Sequence, residues 1–203
     1  MIKVITEPAA FPVTLAEAKE FARIDSSDTS QDGTLNILIA ALVKHAENTK
    51  TGHAFVERTL EFSANCFEYC FELPYPPLIG VDSIKYTDSG GAEQTVDPLT
   101  YEADTTSEPG KVRPAYGKSW PAVTLSGFNP VRIRYRAGYQ APGSPQDLTS
   151  NAYLPGQLRL WLAASITTLY DQRGQIMDGR FVKIPRDFAD GLLDDLVVGT
   201  RFF

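Results

Sequence analysis

The side chains best suited to metal or redox chemistry in this chain are His45, His53, Cys66 and Cys70, the only two histidines and two cysteines present. A structural zinc site needs four such ligands and a catalytic one three, converging on one point. The histidines stand eight residues apart, the first inside a helical pattern and the second just past its end, and no third ligand is near them. The cysteines stand four apart with no second pair, which argues against both a disulfide framework and a zinc site and leaves two reduced thiols. The glycine pair of Asp88-Ser89-Gly90-Gly91 would suit phosphate only if it joined a strand to the amide-rich start of a helix. Instead Ile84 and Tyr86 alternate with polar residues before it, and Glu93 to Val96 run on in the same period after it. Both flanks are strands, so the glycines predict a hairpin turn. Gly110-Lys111 fails as a phosphate loop because Val112 stands where Ser or Thr is needed. No Gly-x-Ser-x-Gly elbow is present, and Asp194-Asp195 fit the solvated face of a helix. The residues predict no catalytic site, no cofactor and no metal. An enzyme survives only as a third reading, with a site assembled from scattered residues.

Charge is distributed more sharply than the net −6 suggests. Residues 1–110 carry 18 acids against 7 bases, whereas residues 111–146 carry 6 bases and no acid. Lys111, Arg113, Lys118, Arg132, Arg134 and Arg136 are therefore the candidate contacts for a polyanion or an acidic partner. A solvated strand face is the competing reading. Arg132, Arg134 and Arg136 share one side of a strand while Val131, Ile133 and Tyr135 share the other, which is the alternation of a half-buried strand.

The elements that must position these groups follow from periodicity. Thr14-Leu15-Ala16-Glu17 has the form of a capping box behind Pro12, and predicts a helix to about Ile24. Leu35, Leu38, Ile39, Leu42, Val43 and Ala46 recur at helical spacing, with Gly52 placed as a C-terminal cap. The period changes to two from Ala54, slips parity near Asn65 and Cys66, and puts Phe67, Tyr69, Phe71 and Leu73 on an inner face. Prolines 74, 76 and 77 end that strand and lead stiffly into the Ile84 hairpin. Short strands are expected at 99–104, 110–114 and 130–136, making 54–138 a β-rich unit of meandering hairpins. A Pro, Gly and Ser connector over 140–153 precedes a helix opened by Pro155 and ending at Gly174. Its Leu158, Leu162, Ile166 and Leu169 form one stripe, and Leu160, Trp161 and Tyr170 widen it into a candidate interface. A fourth helix is expected over 186–198, and the terminal Phe202 and Phe203 suit a tail that docks on a neighbour. No run is apolar enough for a membrane helix, and the start lacks the pattern of a signal peptide, so the chain is expected to stay where it is made.

In this order, VTLAEAKEFARID, LIAALVKHAENTKTGHAFVERTLEF, ELPYPPLIGVDSIKYTDSGGAEQTVDPLTYEAD, GKVRPAYGKSWP, VRIRYRAGY and LRLWLAASITTLYDQRG resemble the head-tail connector proteins of long-tailed bacteriophages and prophages, over about residues 12 to 175. The resemblance implies an α+β fold: a helical connector core, with two N-terminal and one or two C-terminal helices, and an inserted β-rich meander. The expected division is 1–53 and 139–203 for the core and 54–138 for the insertion. It implies a structural protein, not an enzyme, that forms a cyclic ring of about twelve copies. Such a ring attaches beneath the phage portal, extends the DNA channel and offers a docking surface to head-completion or tail proteins. Packaged DNA would pass through it without sequence recognition. The implied location is the head-tail junction of the virion, and the host bacterial cytoplasm during assembly. Leu160, Trp161, Tyr170, Phe202 and Phe203 are then candidates for the ring or portal interface. The alternative from the residues alone is a monomeric β-rich module that contacts nucleic acid or an acidic protein through 111–136.

Overall fold

A computed structural model describes residues 1–139, 154–172 and 191–198 of the 203-residue chain. These combine helices with antiparallel sheets, and they divide into two compact units: Met1–Ala9 with Glu57–Tyr139, and Ala10–Val56 with the chain from Gln140. Two differences from the sequence-based division stand out. Residues 1–9 belong with the strands, and residues 54–56 belong with the helices. Ile2–Thr6 is a strand because its β-branched run pairs with the strand at Arg58–Ala64. Ala54, Phe55 and Val56 have the look of a strand start but are buried before that strand begins.

The β unit contains eight strands: β1 (Ile2–Thr6), β2 (Arg58–Ala64), β3 (Phe71–Leu73), β4 (Leu78–Thr87), β5 (Glu93–Thr95), β6 (Tyr101–Asp104), β7 (Gly110–Pro114) and β8 (Val131–Ala137). One sheet has the order β1-β2-β8-β4-β5 and the other β3-β7-β6, with every neighbouring pair antiparallel. The expected meander is therefore broken, since the last strand in sequence lies between β2 and β4. The reason is burial. Val131, Ile133, Tyr135 and Ala137 of β8 are wholly inside, so this strand needs partners on both edges, whereas β5, exposed along its length, can close the sheet.

Both sheets contribute to one core, in which Leu60, Phe71, Leu73, Ile84, Val112 and Ile133 are fully enclosed. Each such side chain contributes about 1.5–3 kcal/mol through removal from water. The proline run after β3 is fastened to the central strand, because the Tyr135 hydroxyl donates to the Pro74 carbonyl at 2.8 Å. The Gly90-Gly91 hairpin forms as expected: the Asp88 carboxylate accepts the Gly90 and Ala92 amides at 2.9 and 3.0 Å, and Gly91 takes φ +82°. Tyr69 departs from the expected inner face. Regular pairing in β3 starts only at Phe71, and Tyr69 is 80 % exposed.

The helical unit packs α1 (Leu15–Phe21), α2 (Asp32–His45) and α3 (Gly156–Gln172) against one another. The capping box is complete: Thr14 Oγ1 accepts the Glu17 amide at 3.2 Å, and the Glu17 carboxylate accepts the Thr14 amide at 2.8 Å. Arg23, at φ +54°, ends the helix. The same Glu17 forms an ion pair with Arg159 of α3, and the Thr167 hydroxyl donates to the Phe21 carbonyl at 3.0 Å. Lys19 is buried and meets Asp32, at the start of α2, at 2.7 Å. Beyond His45 the helix widens into a π-helical turn, Ala46–Thr51, closed by Gly52 at φ +74°. Around this turn the buried Glu47 accepts the Phe55 amide at 2.7 Å, and Thr51 Oγ1 accepts the His53 amide at 3.2 Å.

The Val198 amide donates to the Thr51 carbonyl at 2.9 Å. Of the expected fourth helix over 186–198, residues 186–190 lie outside the described residues; Gly191 is helical, and Asp194–Leu196 form a short 3₁₀ turn. Leu193 is buried, and the Val198 bond to Thr51 fastens this stretch beside the π-helical turn.

Two glycines separate local propensity from packing. Gly33 lies in the first turn of α2 with open space where a Cβ would stand, so Gly33→Ala should raise stability by about 0.5–1 kcal/mol. A Cβ at Gly110 in β7 would lie 2.5 Å from the Leu78 side chain of β4, where the two sheets close together. Gly110→Ala should cost about 1–3 kcal/mol. Denaturant midpoints at constant slope measure both, and a neutral Gly110→Ala would show that this closure is loose.

Candidate interaction surface

Five of the six basic residues of 111–136 arrive on strands already provided with acids. The β2–β8 register sets Glu61 directly opposite Arg134, and their side chains meet at 3.2 Å. Glu72 lies opposite Lys111 and Glu102 opposite Arg113, at 3.2 and 2.6 Å. Lys85 and Arg132 face each other across β4 and β8, an arrangement that repels unless it is bridged. Glu93 of β5 bridges it, at 2.7 Å from Lys85 and 2.5 Å from Arg132. The hydrogen bond from Lys85, followed by the Arg132 charge, holds the Glu93 carboxyl below its ordinary pKa. Arg136 reaches Asp82 at 3.1 Å and Glu57 at 3.4 Å.

Of the six, only Lys118, exposed in the loop after β7, forms no ion pair among the described residues. Each exposed pair contributes only about 0.2–1 kcal/mol. Together they neutralise the face from which a polyanion contact was expected.

The apolar candidates separate as well. Leu158, Leu162 and Ile166 of the stripe are fully buried, and Trp161 is only 4 % exposed. Its position three residues after Leu158 places it on that stripe. Leu160, next to it, is 54 % exposed and remains a surface residue. Tyr170 is half-buried near the end of α3, and Phe202 and Phe203 lie outside the described residues. His45 is exposed while His53 is buried, and no group of three or more His, Cys, Asp or Glu side chains among the described residues could hold a metal ion. Among them no helix is long and apolar enough to cross a membrane.

Sequence reasoning missed the aromatic end of the β unit. Trp120 stacks on Phe67 with ring centroids 5.4 Å apart, and its indole N–H donates to the Glu68 carbonyl at 2.6 Å. Phe71 and Tyr101 complete the cluster. Beside it, Tyr69, Arg113, Tyr116, Lys118 and Trp120 line a cleft of about 460 Å³. The signal available in the sequence was the pair of aromatics inside the basic stretch, Tyr116 and Trp120, separated by Gly117, Lys118 and Ser119.

No protein-family model and no curated protein matches the sequence. The fold does have counterparts among solved structures. A chain in the virion of the native gene transfer agent (GTA) particle superposes with a TM-score of 0.75 at 18 % identity. Chains from the neck of the empty GTA particle computed with C6 symmetry, and from the neck of the native particle computed with C12 symmetry, give 0.73 and 0.64 at 18 % and 19 % identity. Each likeness spans 100 % of this chain and 97 % of the other. The two-unit arrangement of elements is thus shared along the whole length with proteins of such particles.

Ion pairing on the sheet face sets an expected outcome for nucleic acid. Binding measured by fluorescence anisotropy on a labelled DNA duplex should be undetectable at micromolar protein in physiological salt. At low salt its logarithmic salt slope should be no steeper than about −1, the contribution of one free cation such as Lys118. A slope near −5 would mean that the arginines leave their carboxylates for phosphate.

Proposed function

We propose that this chain is a structural, non-enzymatic connector that forms a ring in the neck of a phage-type particle. The observation that carries the reading is the fold likeness, complete along both chains, to proteins of GTA particle necks with sixfold and twelvefold symmetry. The ordered segments resembling head-tail connectors support it independently. In this reading the helical unit is the connector core and the β unit is carried on it. About twelve copies close around the DNA channel beneath the portal and present a surface to head-completion or tail proteins. The site of action is the head-tail junction, reached by assembly in the host cytoplasm.

Electrostatics fits this role. A channel component must let DNA slide, and a face of unpaired arginines would hold it through counterion release. Here five of the six basic residues of the segment have carboxylate partners, which disfavours the monomeric nucleic-acid module. Heterologous contacts, in which one patch meets a different patch of the next copy, are required for closure.

Size is the direct test. Multi-angle light scattering over a rising concentration series, with and without purified portal, should reveal a species of about twelve copies, and electron microscopy should show it as a ring. A strict monomer that ignores portal throughout would overturn the proposal.

A further inference from the structure

At the aromatic end of the β unit, large rings stand in water. Tyr69 and the fully exposed Tyr116 flank the cleft whose wall includes Trp120. That wall is rigid, because Trp120 is fixed by its stack on Phe67 and its bond to the Glu68 carbonyl. Arg113 is committed to Glu102, which leaves Lys118 as the one charge on the cleft without a carboxylate among the described residues. Tyr, Trp and an accessible cation form the composition of an energetic contact centre. Aromatic-lined grooves of this kind take proline-bearing segments at low entropic cost. The matching occupant carries prolines, one apolar side chain and one carboxylate.

The chain itself supplies such a segment. Glu7-Pro8-Ala9-Ala10-Phe11, followed by Pro12, lies outside every helix and strand. Phe11 is 42 % exposed, and Glu7 is exposed with no ion pair among the described residues. We propose that this segment of one copy seats in the Tyr69–Tyr116–Trp120 cleft of a neighbouring copy, with Phe11 against the tyrosines and Glu7 opposite Lys118. The two patches differ, so the contact runs head to tail and suits a closed ring. It rests on the connector reading and names one of that ring's contacts.

Charge exchange on the full-length chain tests it. Lys118→Glu and Glu7→Lys should each weaken self-association about tenfold, read by sedimentation velocity, and the two together should restore it. In a Cys66→Ser/Cys70→Ser background, Tyr116→Cys copies mixed with Phe11→Cys copies should oxidise to a mixed disulfide dimer. All four of these target side chains are exposed, so the subunit fold should persist and can be verified by circular dichroism. Single exchanges that weaken assembly without rescue by the pair would overturn the pairing. Rings that form normally in every variant, with no mixed dimer, would leave the connector reading intact and assign the cleft to another protein. A wild-type chain that never self-associates would remove both.

Discussion

The β unit depends on the placement of one strand. β8 puts Val131, Ile133, Tyr135 and Ala137 wholly inside and Arg132, Arg134 and Arg136 outside, and it is paired along both edges. A one-residue slip against either neighbour would drive three guanidinium groups into the core and four apolar side chains into water. Uncompensated burial of one charge already costs several kcal/mol, so the register has no near competitor. With β8 fixed, β2 and β4 flank it, the hairpin of β4 and β5 closes the sheet beyond β4, and both sheets contribute to the apolar core.

The same constraint explains the uneven charge of the sequence. Acids concentrated in residues 1–110 and a stretch, 111–146, that holds bases but no acid would be anomalous in a chain of separate local elements. In an antiparallel sheet they are partners: Glu61 of β2, Asp82 of β4, Glu93 of β5 and Glu57 just before β2 meet the arginines of β8. Glu93 has the further task of separating Lys85 from Arg132. Sequence segregation of charge therefore records strand pairing more directly than it records a binding surface. The consequence is a sheet face with little field of its own, on a chain whose net charge stays negative.

What was legible in the sequence was local. The Thr14 capping box, the Gly52 cap, the Asp88 hairpin and the alternation of β8 each depend on contacts a few residues long, and each formed where expected. Strand order was not legible, because period two marks which residues face inward and says nothing about which strand lies next to which. The burial of Trp161 was not legible for a different reason: an apolar residue at the edge of a helical stripe can be covered or open, and helical spacing alone does not decide. Tyr69 followed the parity of a strand that starts two residues later than its pattern does. The cleft beside Trp120 escaped because its lining comes from three separated stretches of the chain.

Chain topology also limits how far the β unit can be treated as an insertion. A replacement of residues 55–138 by a linker would remove β2, the only strand paired with β1, and leave β1 attached to the helices. The orphaned Ile2–Thr6 would keep its unpaired amides and its exposed Val4 and Ile5, the features of a strand that seeks another chain. It would also lose the bond between the Met1 amino group and the Ser63 carbonyl. The chain passes between the units near residues 9, 56 and 139, three times and not twice. A separable helical core therefore requires removal of residues 1–9 together with 57–139, and the first strand couples the folding of the N-terminus to a strand more than fifty residues away.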